Sequence, residues 1–111
     1  MSRSPIQEPT FLILTALAAG PQHGYGIMTD VAHISGDRVK LRAGTLYAAL
    51  DRLRAEGNID VDREEVVDSR LRRYYKLTPA GIEVLNDQAA RMQVNARVAV
   101  SRLKTLAAGL S

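Results

Sequence analysis

Apolar residues recur at helical spacing in three segments of the first half of the chain. The first segment is apolar almost all round, which predicts a helix at the centre of the core. The other two carry an apolar stripe along one side, as amphipathic helices do. The predicted helices are Thr10–Ala19, Tyr25–Ile34 and Ala43–Glu56. Gly20-Pro21 ends the first of them and Gly57-Asn58 ends the third, since these residues favour the turn that closes a helix.

Two further segments alternate between apolar and polar residues, which is the period of a half-buried strand. Val39–Leu41 predicts one short strand before the third helix. Ile59–Leu77 alternates at both of its ends and predicts an antiparallel hairpin. The polar run Glu64–Arg70 lies between those ends and predicts a long hairpin tip. Tyr75 and Leu77 share one side of the returning strand, so both are predicted to lie in the core.

The last part of the chain predicts one long helix over Thr78–Leu106, with Thr78 as its cap and Pro79 in its first turn. At 1.5 Å per residue this helix is about 40 Å long. Its apolar residues step by three and four without a break, a heptad seam typical of helices that pack against a second helix. The seam consists of Ile82, Leu85, Ala89, Met92, Ala96, Ala99, Leu103 and Leu106. We therefore expect this helix to form a dimer interface.

The order of these elements is that of a winged helix-turn-helix. The predicted fold is thus mostly α with a small β-hairpin, followed by a long C-terminal dimerisation helix. The predicted boundary separates a DNA-binding domain, residues 1–77, from the dimerisation helix, residues 78–111. In this architecture the third helix enters the major groove of DNA, and the hairpin lies against the flanking backbone.

The composition of the 111 residues excludes several classes of protein. The absence of cysteine removes disulfides, thiol catalysis and zinc sites with thiolate ligands. His23 and His33 stand ten residues apart without a Glu or Cys motif between them, so neither a metal nor a cofactor is predicted. No constellation in the sequence supports catalysis, and an enzyme is not predicted. No apolar run approaches the roughly 20 residues that span a bilayer, and we expect a cytoplasmic protein without membrane contact.

Basic residues concentrate where a winged helix would meet DNA. The net charge is +3, from 15 Lys and Arg against 12 Asp and Glu. Within the hairpin the acids collect on the outgoing strand, whereas Arg70, Arg72 and Arg73 lie together on the returning strand. Such a cluster alone is as consistent with a solvated surface as with phosphate binding. Its position on the predicted wing favours phosphate binding with release of counterions.

Three sequence motifs resemble those of the PadR family of bacterial transcriptional regulators, over about residues 11–85. They are His23-Gly24-Tyr25-Gly26-Ile27, Gly44-Thr45-Leu46-Tyr47 with Leu50 and Leu53, and Arg72-Arg73-Tyr74-Tyr75-Lys76-Leu77-Thr78 with Gly81. The resemblance implies a homodimeric repressor that binds a pseudo-palindromic operator in double-stranded DNA and often responds to a small molecule. It also implies that the C-terminal helix makes the dimer. The chain has no tryptophan, so it lacks the tryptophan pair with which some members hold planar ligands.

Nine residues are predicted to contact DNA, on three elements of the winged helix. Five lie in or just before the third helix, three lie on the wing and one begins the second helix. They are Lys40, Arg42, Thr45, Tyr47 and Arg52, then Arg70, Arg72 and Arg73, and finally Tyr25. Gly24 and Gly26 flank this tyrosine and would leave backbone N–H groups open to a phosphate.

Two interpretations stay open for several of these features. Tyr25 either packs in the core or places its hydroxyl at a phosphate. Thr45 either contacts a base or caps the third helix, because the residues before it supply no polar cap. Tyr74 lies on the opposite face of its strand from Tyr75, and its role is undecided. The alanines of the seam permit either close helix packing or a hollow for a small apolar or aromatic effector.

The sequence therefore predicts a sequence-specific DNA-binding transcriptional regulator, a homodimeric repressor of the PadR type. The alternative is a protein-interaction module that keeps the winged-helix scaffold without binding DNA. The alternative would need an acidic or apolar surface on the third helix, and Arg42 and Arg52 argue against it.

Overall fold

Four helices and three strands follow one another in the order α1–β1–α2–α3–β2–β3–α4. This computed structural model describes residues 6–110. The helices are α1 (Glu8–Ala18), α2 (Gly24–Ile34), α3 (Ala43–Ala55) and α4 (Pro79–Leu110), and the strands are β1 (Gln22–His23), β2 (Ile59–Val67) and β3 (Arg70–Leu77). The strands form one antiparallel sheet in the order β1-β3-β2. The predicted winged helix-turn-helix with a long terminal helix is confirmed.

The core is built around α1, as its nearly continuous apolar surface predicts. Ile13, Leu14 and Ala16 of this helix are fully buried. The other helices and the sheet close around them with one apolar side each. These surrounding core residues are Ile27, Val31, Leu46, Ala49, Leu50, Leu53, Ile59 and Tyr75. Burying an aliphatic side chain of this size stabilises a fold by about 1.5–3 kcal/mol, so this cluster fixes α2, α3 and the hairpin relative to one another.

The strand predicted at Val39–Leu41 is wrong. This segment is irregular, and the Val39 N–H donates to Ser35 Oγ at 3.0 Å, which ties it to the end of α2. Val39 and Leu41 pack against the core from outside the sheet. Their alternation therefore reflects burial of two side chains in a loop, which three residues of sequence cannot distinguish from a strand.

The long tip predicted at Glu64–Arg70 is also wrong. Strands β2 and β3 continue to Val67 and Arg70, and the two-residue turn Asp68-Ser69 joins them. Both turn residues have positive φ, 50° and 63°, which is the arrangement whose twist matches that of the flanking strands. The polar residues assigned to the tip thus belong to the strands and alternate between the two faces of the hairpin.

The start of α4 is tied to the turn that follows α3. Thr78 caps the helix as predicted, since its Oγ1 accepts from the Gly81 N–H at 3.1 Å. The same hydroxyl donates to the Gly57 carbonyl at 2.6 Å. Gly81 lies so close to the Asn58 carbonyl that a Cβ would overlap it. These contacts set the direction in which α4 leaves the winged helix.

Helix α4 is one turn longer than predicted and projects away from the domain. Every side chain from residue 90 to residue 110 is exposed, and the longest dimension of the molecule is 64 Å. The eight seam residues therefore form an apolar stripe, much of it open to solvent.

None of the helices within residues 6–110 is long and apolar enough to cross a membrane.

Candidate nucleic-acid interface

An open groove separates the starts of α2 and α3 from the tip of the hairpin. Tyr25 and Tyr47 line one side of this groove, and Arg70, Arg72 and Arg73 line the other. Five of the nine predicted DNA-contacting residues therefore meet at one surface, although 48 residues separate the first of them from the last. Aromatic rings beside guanidinium groups suit contacts with a sugar-phosphate backbone.

Tyr25 is 75% exposed, so its ring is not part of the core. It is the second residue of α2, and the helix start beside it differs from the prediction in one respect. The Gly26 N–H donates to His23 Nδ1 at 3.2 Å, so this N–H is not open to a phosphate. The histidine caps α2 through its ring nitrogen, a role that residue type alone does not suggest.

Tyr47 joins α3 to the start of α2. Its ring is half-exposed, and its hydroxyl lies over Gly24, where a Cβ would come within 2.5 Å of the Tyr47 Oη. Gly24 is buried, and only a residue without a side chain permits this approach. The contact holds the tyrosine at the groove and sets the spacing between the two helices.

Several ring and charge contacts stiffen the base of the hairpin beside His23. The His23 and Tyr74 rings meet edge to face with centroids 5.3 Å apart. The Arg63 guanidinium lies 3.9 Å over the Tyr74 ring on the same face of the sheet. Tyr74, undecided from sequence, is therefore a half-buried structural residue. Burial, with a smaller contribution from the Arg72 charge, lowers the pKa of His23.

The His23 cap predicts a pH-dependent stability. Because the folded-state pKa is lowered, the unfolded chain takes up a proton first, and stability is lost as the pH falls below about 6.5. His23→Ala removes the cap and should cost about 1 kcal/mol at pH 7.5, whereas His23→Asn keeps a cap that does not titrate. Urea unfolding at pH 7.5 and 5.5 checks this expectation. An equal loss of stability between the two pH values in the wild type and in His23→Asn would contradict it.

The three arginines of β3 do not lie on one face of the hairpin. Alternation places Arg70 and Arg72 on the face of Tyr74, and Arg73 on the face of the buried Tyr75. The Arg73 Nε lies 3.5 Å from Glu64 Oε1, and Arg72 stands opposite Glu65 in the ladder. Arg70 stands opposite Val67 and carries the least compensated charge of the three. The groove therefore presents cations from both faces of the wing.

The tip of the hairpin carries an exposed apolar pair beside these arginines. Val66 and Leu71 stand opposite each other in the ladder and are 74% and 63% exposed. They extend the face of Tyr75 beyond the core.

The remaining predicted residues lie around the start of α3. Lys40 and Arg42 are exposed, and the Arg42 side chain at the N-cap makes no capping hydrogen bond. Thr45 is exposed and does not replace that cap. Arg52 turns towards α1, where its Nη2 donates to Thr10 Oγ1 at 2.9 Å and its Nε lies 3.5 Å from Glu56 Oε1. Its guanidinium is thus occupied within the chain.

The middle of the exposed side of α3 holds residues that the sequence reasoning missed. They are Gly44, Ala48, Asp51 and Ala55, all exposed. The same period that identifies the buried Leu46, Leu50 and Leu53 also identifies this opposite side. Thr45 and Tyr47 border it, so the predicted contacts flank the surface that α3 presents outward.

A second groove, more apolar than the first, lies where α4 leaves the domain. Leu17 and Pro21 from the end of α1 and the loop after it face Ile82, Leu85 and Ala89, which begin the seam.

Among residues 6–110 no three His, Cys, Asp or Glu side chains cluster as a metal site would require.

Comparison with known sequences finds transcriptional regulators. The family model described as the transcriptional regulator PadR-like family matches residues 13–87. The transcriptional regulator Rv3488 of Mycobacterium tuberculosis is 38% identical over 85 residues, which are 77% of this chain and 76% of that protein. An uncharacterized 37.1 kDa protein in transposon TN4556 of Streptomyces fradiae is 41% identical over 85 residues, but these cover only 23% of its length.

Comparison with solved structures leads to the same family. A PadR family transcription regulator of Clostridium difficile R20291 matches the fold with a TM-score of 0.72 at 23% identity, over 87% of this chain and 99% of that one. Bacillus subtilis PadR in complex with operator DNA matches with a TM-score of 0.65 at 26% identity, over 73% of this chain and 46% of that one. The matched sequence, the winged helix and the motifs at its groove together establish that this chain belongs to the PadR-like family of transcriptional regulators.

Proposed function

We propose that the protein is a sequence-specific DNA-binding regulator that acts as a homodimer on a pseudo-palindromic operator. The observation that carries the proposal is the groove in which two exposed tyrosines face three arginines beside α3. The structure of Bacillus subtilis PadR with operator DNA supports it, since that protein shares this fold. A regulator of this kind works in the bacterial cytoplasm.

In this proposal α3 enters the major groove, and the hairpin follows the flanking backbone. Lys40, Arg42, Thr45 and Tyr47 lie at the entering end of α3. Arg70, Arg72 and Arg73 neutralise phosphates and release counterions, which gives affinity without sequence preference. Tyr25 stands at the mouth of the groove, where its exposed side chain can donate from its hydroxyl to a phosphate. Arg52 is the weakest candidate of the nine because its guanidinium is bound to Thr10.

The dimer would form through α4, with residues 1–77 as the DNA-binding unit and residues 78–111 as the dimerisation helix. The exposed seam supplies the apolar contact, and the charges along α4 supply its direction. Acids lie only near the start of the helix and cations only further on, namely Glu83 and Asp87, then Arg91, Arg97, Arg102 and Lys104. Antiparallel pairing brings opposite charges together, whereas parallel pairing superimposes like charges.

Repression and its relief belong to the same proposal. A dimer bound at an operator obstructs transcription, and a ligand that changes the distance between the two α3 helices would release it. The apolar groove beside Leu17, Ile82 and Leu85 lies at the joint between α4 and the domain. A small apolar or aromatic effector is therefore the class of ligand that this groove fits.

Fluorescence anisotropy with duplexes from the gene's own upstream region, and with a scrambled duplex, tests the proposal across a salt series. We expect the upstream duplex to bind at least about 1,000-fold more tightly, since specific and non-specific affinities differ by roughly 10³–10⁷. The logarithm of the binding constant should fall steeply with salt. Equal and weak binding to both duplexes would favour the protein-interaction module instead.

A further inference from the structure

One acid stands alone on the exposed side of α3. Asp51 is exposed, and over residues 40–54 it is the only acidic residue of the sequence beside four basic ones. Those four are Lys40, Arg42, Arg52 and Arg54. Although Arg54 is three residues further along the helix, Asp51 makes no ion pair or hydrogen bond within residues 6–110. Aspartate is also a weak helix former, so the stability of α3 does not account for it.

The residues around Asp51 on this side of α3 are very small. Gly44, Ala48 and Ala55 stand at intervals of three and four residues with it, and all are exposed. A Cβ added at Gly44 would meet nothing within 4 Å, and the residue lies in the helix without a positive φ. Nothing in the described part of the chain therefore requires glycine at this position, although alanine favours helix formation more. A close approach by a partner outside the chain would account for it.

A carboxylate at a DNA interface is repelled by phosphates, which lowers affinity for every sequence. It becomes favourable only where a base edge offers it a hydrogen-bond donor. In the major groove cytosine presents its N4 amino group, and a carboxylate is the natural acceptor for it. Adenine presents an amino group beside the N7 acceptor, which repels a carboxylate. An exposed aspartate on the outward side of α3 thus suits discrimination between base pairs better than affinity.

We propose that Asp51 is a specificity-determining residue that accepts a hydrogen bond from the N4 amino group of a cytosine in each operator half-site. Gly44 and Ala48 let the backbone of α3 approach the base edges closely enough for this contact. The proposal rests on the DNA-binding function proposed above. It specifies one base of each half-site that α3 recognises.

Selection from a randomised duplex library tests the proposal with wild type, Asp51→Ala, Asp51→Asn and the control Asp37→Asn. The control removes the same charge from an exposed turn residue whose left-handed φ of 65° suits asparagine. Wild type and Asp37→Asn should recover one motif with a cytosine at a fixed position in each half-site. Asp51→Ala should lose the preference at that position. Asp51→Asn should shift it to adenine, because an amide pairs with adenine N6 and N7.

Anisotropy with the selected and the scrambled duplex shows whether the Asp51 carboxylate raises or lowers the affinity for each of them. Asp51→Ala should bind the scrambled duplex more tightly, while its preference for the selected duplex falls about tenfold or more. An unchanged motif, or equal tightening on both duplexes, would overturn the proposal while leaving the proposed function in place. Failure of the wild-type protein to select any motif would instead remove the sequence-specific function, and this proposal with it.

Gly44→Ala tests the close approach by a different route. The variant should melt at a higher temperature than wild type and yet bind the selected duplex about tenfold more weakly. Gly109→Ala is the matched control, since a Cβ there also meets nothing within 4 Å and the residue lies far along α4. Unchanged affinity in Gly44→Ala would overturn the proposal, because Asp51 reaches a base edge only if α3 lies deep in the groove.

Discussion

Replacing Arg72 and Arg73 together by alanine should weaken binding to every duplex, specific or scrambled, by at least about tenfold. The slope of log K against log salt should become shallower by roughly two, because each lost phosphate contact removes about 0.9 from it. The loss should be uniform across sequences, since phosphate contacts carry affinity without base preference. Anisotropy on selected and scrambled duplexes at four or more salt concentrations measures both quantities.

The two arginines are changed together because they lie on opposite faces of β3. Replacing one arginine alone would leave the other cation on the opposite face of the wing. Arg73 also forms an ion pair with Glu64. The control removes two exposed cations that do not line the groove, Arg38→Ala with Lys76→Ala, and so changes the net charge equally. If affinity and salt slope in the Arg72 and Arg73 variant match those of this control, the hairpin is not the phosphate-binding element.

Helix α1 was predictable because it is apolar almost all round, and α2, α3 and α4 because each is amphipathic over several turns. Leu46, Leu50 and Leu53 repeat at intervals that only one side of a helix explains, and all three are buried. The two-residue β1 carries no such pattern, since it exists only through pairing with β3. The hairpin turn escaped prediction for a related reason. Asp68 and Ser69 adopt a left-handed conformation that glycine or asparagine signals more clearly.

Five residues of the groove could be named from the sequence, but their arrangement could not. The charges of Arg70 and Arg72, and the motifs around Tyr25 and Tyr47, are properties of the sequence. The packing of Tyr47 against Gly24 is a contact between two helices, and it depends on their crossing angle. The cap that His23 makes on α2 depends on a ring orientation set by Tyr74 across the sheet. Pairwise contacts of this kind produce no periodic pattern of residues in the sequence.

Introducing two glutamates into the seam of α4 should abolish the proposed dimer and reduce operator affinity by about 100-fold or more. Met92 and Leu103 are 46% and 62% exposed along the apolar stripe of the free chain. In a dimer both would be buried, and a carboxylate without a partner is strongly disfavoured there. Met92→Glu with Leu103→Glu should therefore sediment as a folded monomer, and circular dichroism should show its helices retained.

The loss of affinity follows from the linkage of two DNA-binding units. In a dimer the second α3 binds as an intramolecular step, which typically multiplies affinity by about 10²–10⁴. Half-sites separated by one turn of DNA, about 34–36 Å, require both helices at once. The control is Val94→Glu with Val98→Glu, which introduces the same two charges at side chains 51% and 43% exposed, one helical turn apart. Two residues turn a helix by about 200°, so Val94 lies opposite Met92 and outside the seam. A dimer that survives the seam variant, or dissociates equally in the control, would show that the eight-residue seam does not join the two subunits.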